Sequence, residues 1–339
     1  MSSVMDVQYC YPSLNDSCIR RSRTIITHIA LYISAMIFVT ITVCGNLAVI
    51  ISISHFKQLH CPNNVLVCSL AVVDFLVGFI IMPYSMVRTI ESCWYFGDRF
   101  CKIHSSFDVM FCTSSIFHLC FIAVDRHYAV CDPLHYYSKI TFTAVALFVA
   151  VSWAIPSLLA FGIVLSGICL TGIADYMTSI SCVGLCVLVL DKLWTVLSVF
   201  VAFIIPTIVM VCIYIKIFIV AKRHVRVINN MVESIKSSKL QISSKNERKA
   251  AKTLSIVMGA FILCWLPYFV AMSFDPFLNY ATPVVLFDVF MWLAYSNSGF
   301  NPIIYGFFYP WFQKALHAIL SGKIFCHNSS AMNLFLETH

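Results

Sequence analysis

Five stretches of the chain, 24–56, 140–174, 193–215, 253–274 and 289–313, contain no Asp, Glu, Lys or Arg. Each meets the ~20 apolar residues that a helix of 1.5 Å rise needs to cross ~30 Å of hydrocarbon. Two further stretches, 58–87 and 103–124, are interrupted by one carboxylate each, Asp74 and Asp108. Hydrocarbon offers no hydrogen-bond partner to a backbone, so crossing segments are helices or closed barrels. Continuous apolar runs without period-two alternation exclude the barrel. The pattern predicts an all-α membrane protein, a seven-transmembrane helix bundle over 24–309 with spans near 25–53, 62–87, 99–131, 142–165, 192–221, 249–274 and 282–308. Segment 1–23 precedes it, 222–248 forms a charged linker, and 310–339 holds a short amphipathic eighth helix and a tail. Composition agrees, because 11% charged residues falls far below the ~25% of a soluble domain and excludes an ordinary cytosolic enzyme.

Seven spans put the termini on opposite sides. With the amino terminus outside, the cytoplasmic segments carry fifteen of the 22 Lys and Arg residues, as the positive-inside rule requires. Arg20, Arg21 and Arg23 oppose this locally, flanking the first span on the outer side. Asn15-Asp16-Ser17 supports the outer placement as an acceptor for N-glycosylation. The reading is a multi-pass protein with an extracellular amino terminus and no nucleic-acid partner.

Of the 16 cysteines, Cys10, Cys18, Cys93, Cys101, Cys182 and Cys186 fall on the outer side. An even set in an oxidising compartment predicts up to three disulfides with 15 connectivities. Cys169 lands near the same face, unpaired. The others read as small buried hydrophobes, except Cys326, which lies beyond the last span near Lys323 and is a candidate for palmitoylation.

Ionisable groups at membrane depth cost at least ~2.5–3.5 kcal/mol at a helix centre, so Asp74, Asp108 and Arg126 call for explanation. Eighteen residues separate Asp108 from Arg126, about 27 Å of helix, which puts Arg126 at the cytoplasmic surface. Asp108 lies about two turns, roughly 10 Å, below the outer rim. It is an interhelical hydrogen-bonding group, a neutral, protonated acid, since burial raises a carboxylate pKa, or the counter-ion of an external cation, since no Lys or Arg is expected in the outer half of any other span. Trp265, Tyr268 and Phe269 on the sixth span, with Trp292 and Tyr295 on the seventh, are candidates for an aromatic cage around an ammonium. Deeper, Asp74 shares its level with Asn46, Ser115, Asn297, Ser298 and Asn301. Such oxygens suit Na⁺ as an allosteric ion, a water network or plain interhelical hydrogen bonding; no other cofactor or metal is expected.

Over about 25–325 the chain resembles a rhodopsin-like G-protein-coupled receptor. The resemblance rests on Gly45-Asn46, Leu70-Ala71-x-x-Asp74, Asp125-Arg126-His127, Trp153, Pro206, Cys264-Trp265-Leu266-Pro267 and Asn301-Pro302-Ile303-Ile304-Tyr305, in order on seven spans. Residues 297–312, His55-Phe56-Lys57-Gln58-Leu59-His60, Cys93-Trp94-Tyr95-Phe96-Gly97 and Asp132-Pro133-Leu134-His135-Tyr136 resemble the trace amine-associated receptors. The resemblance implies a plasma-membrane receptor for trace or volatile amines, with Asp108 and Ser198 in the ligand site. It implies partners in a stimulatory G protein that raises cyclic AMP and in arrestin, and an olfactory setting. Some members carry a second acid on the fifth span; Leu197-Ser198-Val199 has none, which favours primary monoamines over diamines.

The same resemblance implies a bridge from Cys101 to Cys186, leaving Cys10 with Cys182 and Cys18 with Cys93. It further implies an activation switch in which Ile116, Pro206, Phe261 and Trp265 repack. The sixth span then swings about Pro267, and Arg126 leaves Asp125 and Glu247 while Tyr305 rearranges. Four positions depart from the family pattern: His127, Cys61-Pro62-Asn63-Asn64, Gln313, and Gly299, which costs ~1 kcal/mol against Ala in a helix. A dopamine, serotonin or histamine receptor is the alternative, disfavoured by 297–312 and by Ala202 one turn below Ser198. A cation-coupled transporter would show repeated halves, which are absent. His28, His104 and His118 are too scattered for an intramembrane enzyme.

Overall fold

The computed structural model describes residues 8–167, 172–235 and 238–334, and of 165, 224, 225, 227–235 and 238–255 the backbone alone. Cys169 therefore lies outside the described residues. The spans are Ile25–His55, Pro62–Glu91, Asp98–Cys131, Phe142–Ser166, a fifth beginning at Lys192, Ser238–Phe274 and Val284–Phe308. Among the described residues six helices are long and apolar enough to cross a membrane. The seventh span has the length, and Asp288, Asn297, Ser298 and Asn301 make it more polar. The third span packs on the second, fourth and fifth, the sixth on the fifth and seventh, and the seventh returns to the first.

Local chemistry sets the ends. Thr24, Thr141 and Asp191 each accept a backbone N–H of the first turn, at the starts of the first, fourth and fifth spans. Such caps contribute about 1 kcal/mol each. Cys61 precedes the second span without a side-chain cap, and Pro62 occupies the first turn instead. Gln313, one of the departures, donates from Nε2 to the Gly306 carbonyl at 2.7 Å, tying the helix Pro310–Leu320 to the end of the seventh span. Phe312, Ala315 and Ala318 of that helix are buried against Val49, Ile53 and Tyr305.

Several boundaries differ from expectation. The second span runs to Glu91 and contains a π-helical stretch, Val77–Ile81. The fifth contains another, Phe200–Ile204, and then continues as Ile205–Ile235. Of the stretch expected as linker, 222–248, residues 222–235 and 238–248 are helix. Polar residues removed a hydropathy signal there, and hydropathy carries no information about helix outside the membrane. A short helix Ala174–Ile180 forms in the second outer loop. Cysteine burial also differs: of the free thiols only Cys112 and Cys264 are buried, while Cys44, Cys61, Cys212 and Cys326 are exposed. Cys44 and Cys212 lie on the first and fifth spans, where a small apolar side chain facing lipid has no water to avoid and burial brings it no gain.

Two of the three outer arginines, Arg20 and Arg23, have partners. Arg20 pairs with Glu91 at the end of the second span. Arg23 donates to the carbonyls of Ile90 and Thr89; burial and the neighbouring Arg21 lower its pKa. Glu91 also accepts from Tyr32 at 2.7 Å and lies 3.0 Å from His28. Fixed pairing on the outer surface explains why Arg20 and Arg23 do not follow the global charge rule.

The disulfides are Cys101–Cys186, Cys10–Cys93 and Cys18–Cys182. The pairing of Cys10 with Cys182 and Cys18 with Cys93 is thus corrected. Cys18 N donates to Val183 O at 3.0 Å and Val183 N to Asp16 O at 2.8 Å, which lays Cys18 beside Cys182 and leaves Cys10 over Cys93.

Gly299 meets the first span so closely that an added Cβ would lie 2.9 Å from Phe38 and 3.0 Å from the Thr42 hydroxyl. The helical cost of this glycine is the counterpart of a close approach between two spans. Gly299→Val should lower stability by about 1–3 kcal/mol through overpacking, read as a lower thermal unfolding midpoint of the purified protein; an unchanged midpoint would refute the close approach.

Candidate functional site

A cavity of about 760 Å³ opens between the outer halves of the spans. Its floor and sides include Asp108, Cys112 and Ile116 of the third span, Ser198 and Ala202 of the fifth, and Trp265, Tyr268 and Phe269 of the sixth. Cys18, Ile19 and Arg21 of the amino-terminal segment line it from above, together with Cys182 and Cys186. The disulfides therefore make the amino-terminal segment a wall of this cavity.

Asp108 is 7% exposed. Its Oδ2 accepts the Tyr295 hydroxyl at 2.7 Å, and its Oδ1 accepts the Cys112 thiol at 3.4 Å. Tyr295 is in turn 3.2 Å from the Ser85 hydroxyl. None of the ion pairs among the described residues includes Asp108. The carboxyl group is held in place by neutral donors at the cavity wall.

The expected aromatic cage is only half present. Trp265, Tyr268 and Phe269 line the cavity, and Phe203 stacks on Phe269 at 4.4 Å. Tyr295 stands behind Asp108 as its hydrogen-bond donor. Trp292 turns toward the first span, with Nε1 on the Thr89 hydroxyl at 3.2 Å and its ring 6.5 Å from Phe38. Depth alone put Trp292 with the other rings; its side of the helix is set by the packing on the first span. Ser198 Oγ and Trp265 Nε1 are buried atoms without a hydrogen-bond partner, two polar groups left open beside the cavity.

Sequence reasoning also missed two charges. Arg88 lies within the second span and lines the cavity, contrary to the expectation that no basic residue stands there. Asp288 of the seventh span lines it as well. Seven residues separate Asp288 from Tyr295, which places them on one face, two turns apart; that spacing could have revealed it.

Deeper in the bundle Asp74 is fully buried. Ser115 and Ser298 donate to Oδ1 at 2.9 and 2.7 Å, and Asn301 donates to Oδ2 at 2.7 Å. Asn46 ties the cluster to the first span, donating to the carbonyls of Thr42 and Ser298. Asn297 Nδ2 has no partner. Oxygens from Asp74, Ser115 and Ser298 converge, a donor set that fits a hard monovalent cation.

Between the two levels Ile116, Phe261 and Trp265 share one core, and Pro206 is buried just after the π-helical stretch of the fifth span. Pro267 lies inside the sixth span. At the cytoplasmic end Arg126 pairs with Asp125, whose other oxygen accepts the Tyr136 hydroxyl at 2.9 Å. Burial first, and then the Asp125 charge, push the Tyr136 hydroxyl up to about 12, so it donates throughout the physiological range. Tyr305 is buried, 5.6 Å from the Tyr309 ring. The side chain of Glu247 lies outside the described residues. His127 Nδ1 has no partner.

Residues 45–305 match the family described as the seven transmembrane receptor (rhodopsin family). The chain is similar to trace amine-associated receptor 4 of Mus musculus, 54% identical over 97% of this chain and 96% of the relative. It is 51% identical to trace amine-associated receptor 3 of Rattus norvegicus, over 98% of both chains. It is 47% identical to trace amine-associated receptor 13c of Danio rerio, over 97% of this chain and 96% of the relative.

Tyr295→Phe should lower stability by about 1–3 kcal/mol, because a buried carboxylate loses its main donor. Thermal unfolding in detergent measures this; a variant as stable as the parent would contradict the Tyr295 contact with Asp108.

Proposed function

This chain belongs to the trace amine-associated receptors of the rhodopsin-like seven-transmembrane family, and from that premise we propose that it detects primary amines of one net positive charge through an ion pair with Asp108. The family makes it a multi-pass G-protein-coupled receptor of the plasma membrane with an amine ligand and a G-protein partner, and not an enzyme. The observation that carries the ligand reading is the Asp108 carboxylate, facing a cavity without a cationic partner among the described residues. An ammonium there gains a charge-assisted hydrogen bond and the faces of Trp265, Tyr268 and Phe269, at ~0.5–2 kcal/mol for cation–π contact.

Signalling is a shift between two packings of the bundle. A ligand seated on Asp108 bears on Trp265 and Phe269, and Phe203, Ile116, Phe261 and Pro206 repack beneath. The sixth span pivots at Pro267, a proline inside a helix being a recognised hinge. Arg126 then leaves Asp125, and the cytoplasmic cleft admits a stimulatory G protein, which raises cyclic AMP, and afterwards arrestin. Asp74, Ser115 and Ser298 would hold Na⁺, whose positive charge would offset the buried carboxylate. Asn15 is exposed on the outer side and is the glycosylation site; the exposed Cys326 is the palmitoylation site. The olfactory setting rests on the family alone.

In a cyclic-AMP reporter assay with a panel of primary amines, Asp108→Ala should raise the half-maximal concentration on the order of 100-fold or more, the loss expected when one partner of a buried charge pair is removed. Equal responses of both proteins at equal surface expression would refute the ion pair.

A further inference from the structure

Above Asp108 the cavity carries two opposite charges that seating a simple amine does not use. Arg88 and Asp288 both line it, on the second and seventh spans. They stand at one level, because Thr89, next to Arg88 in the chain, donates its hydroxyl to Asp288 Oδ1 at 3.2 Å. They are near enough for the Arg88 charge to act on Asp288, yet among the described residues the two form no ion pair, and Asp288 accepts one hydrogen bond, from the Thr89 hydroxyl. A guanidinium carries five fixed donors and suits a carboxylate in bidentate geometry. A carboxylate beside it, with a free oxygen, suits an ammonium. Neighbouring and unpaired, the two complement the two charges of an α-amino-acid head.

The vertical distance adds a second condition. Asp288 and Tyr295 are two turns apart on one face, about 10.5 Å of rise, and the Tyr295 hydroxyl touches Asp108. Asp108 and Asp288 therefore lie at different depths of one cavity, and a ligand that reaches both carries its charges at the two ends of a flexible chain. The charges balance for the same ligand. The lining contains Arg21 and Arg88 against Asp108, Asp275 and Asp288, one negative charge in excess. A neutral zwitterion leaves that excess in place, and a bare diamine overshoots it and sets nothing against Arg88.

We propose that the cavity binds basic α-amino acids of the lysine and ornithine class, with the side-chain ammonium on Asp108, the α-carboxylate on Arg88 and the α-ammonium on Asp288. The proposal rests on the amine reading of Asp108 and names the ligand's far end. A ligand held at both ends also spans the second, third and seventh spans, so it is sorted from simple amines by length as well as by charge.

The test is stabilisation of the purified full-length receptor in detergent against thermal unfolding, titrated with L-lysine, 1,5-diaminopentane, which lacks the carboxylate, and pentylamine, which lacks the whole head. L-lysine should half-saturate at least tenfold below either of the other two. In Arg88→Gln the ratio of L-lysine to 1,5-diaminopentane should fall to within about twofold, and Arg88→Lys, which keeps the charge, should retain part of the preference. In Asp288→Asn the advantage of L-lysine over pentylamine should shrink. If L-lysine is no better than pentylamine on the parent protein, or if its preference survives in Arg88→Gln, the proposal is overturned. Pentylamine stabilisation that is indifferent to Asp108→Ala would instead overturn the amine reading itself, so the two failures are distinguishable.

Discussion

A carboxylate held by a tyrosine hydroxyl and a thiol, without a cation, is the contact around which the outer half of this bundle is arranged. Neutral donors fix the geometry of Asp108, and among the described residues no ion pair includes it. In a low-dielectric interior such a charge is costly unless it is paired. The fold retains it at the wall of a cavity, where the missing partner can arrive from outside. Tyr295 and Ser85 join this point to the seventh and second spans, so ligand binding at Asp108 acts on three spans at once.

The covering of the cavity follows from the same requirement. A charge pair is strong only where water is excluded, and the amino-terminal segment supplies part of that exclusion. Two disulfides, the Arg20–Glu91 pair and the Arg23 contacts hold the segment over the opening. Below, the buried Asp74 accepts from two hydroxyls and an amide. The contrast between the two aspartates is chemical: one is surrounded by donors and links spans, the other is under-supplied and faces open space.

Much of this was legible in the sequence because lipid simplifies the code. Charge-free runs mark spans, and Asp74, Asp108 and Arg126 stand out against them. What could not be read depends on rotation and register. Trp292 and Trp265 have similar depths, and only packing shows that Trp292 turns to Phe38 while Trp265 faces the cavity. The π-helical stretches at 77–81 and 200–204 change which residues face inward without any hydropathy signature. Cys10 and Cys18 have indistinguishable claims on Cys93 and Cys182 until the backbone pairing of Cys18 with Val183 is known. Arg88 and Asp288 were hidden by lying at the ends of apolar runs, where charges are ordinary.

Gly299 shows the reverse case, a residue whose helical cost was legible and whose reason was not. The cost is local, and the reason is the first span 2.9 Å from where a Cβ would be.

The most direct measurement is the structure of the receptor bound to a simple primary amine. The account predicts the ligand nitrogen within hydrogen-bond distance, about 2.7–3.0 Å, of an Asp108 oxygen, with the apolar part against Trp265 and Phe269. An amine seated elsewhere, with the Asp108 carboxylate still bonded only to Tyr295 and Cys112, would contradict it.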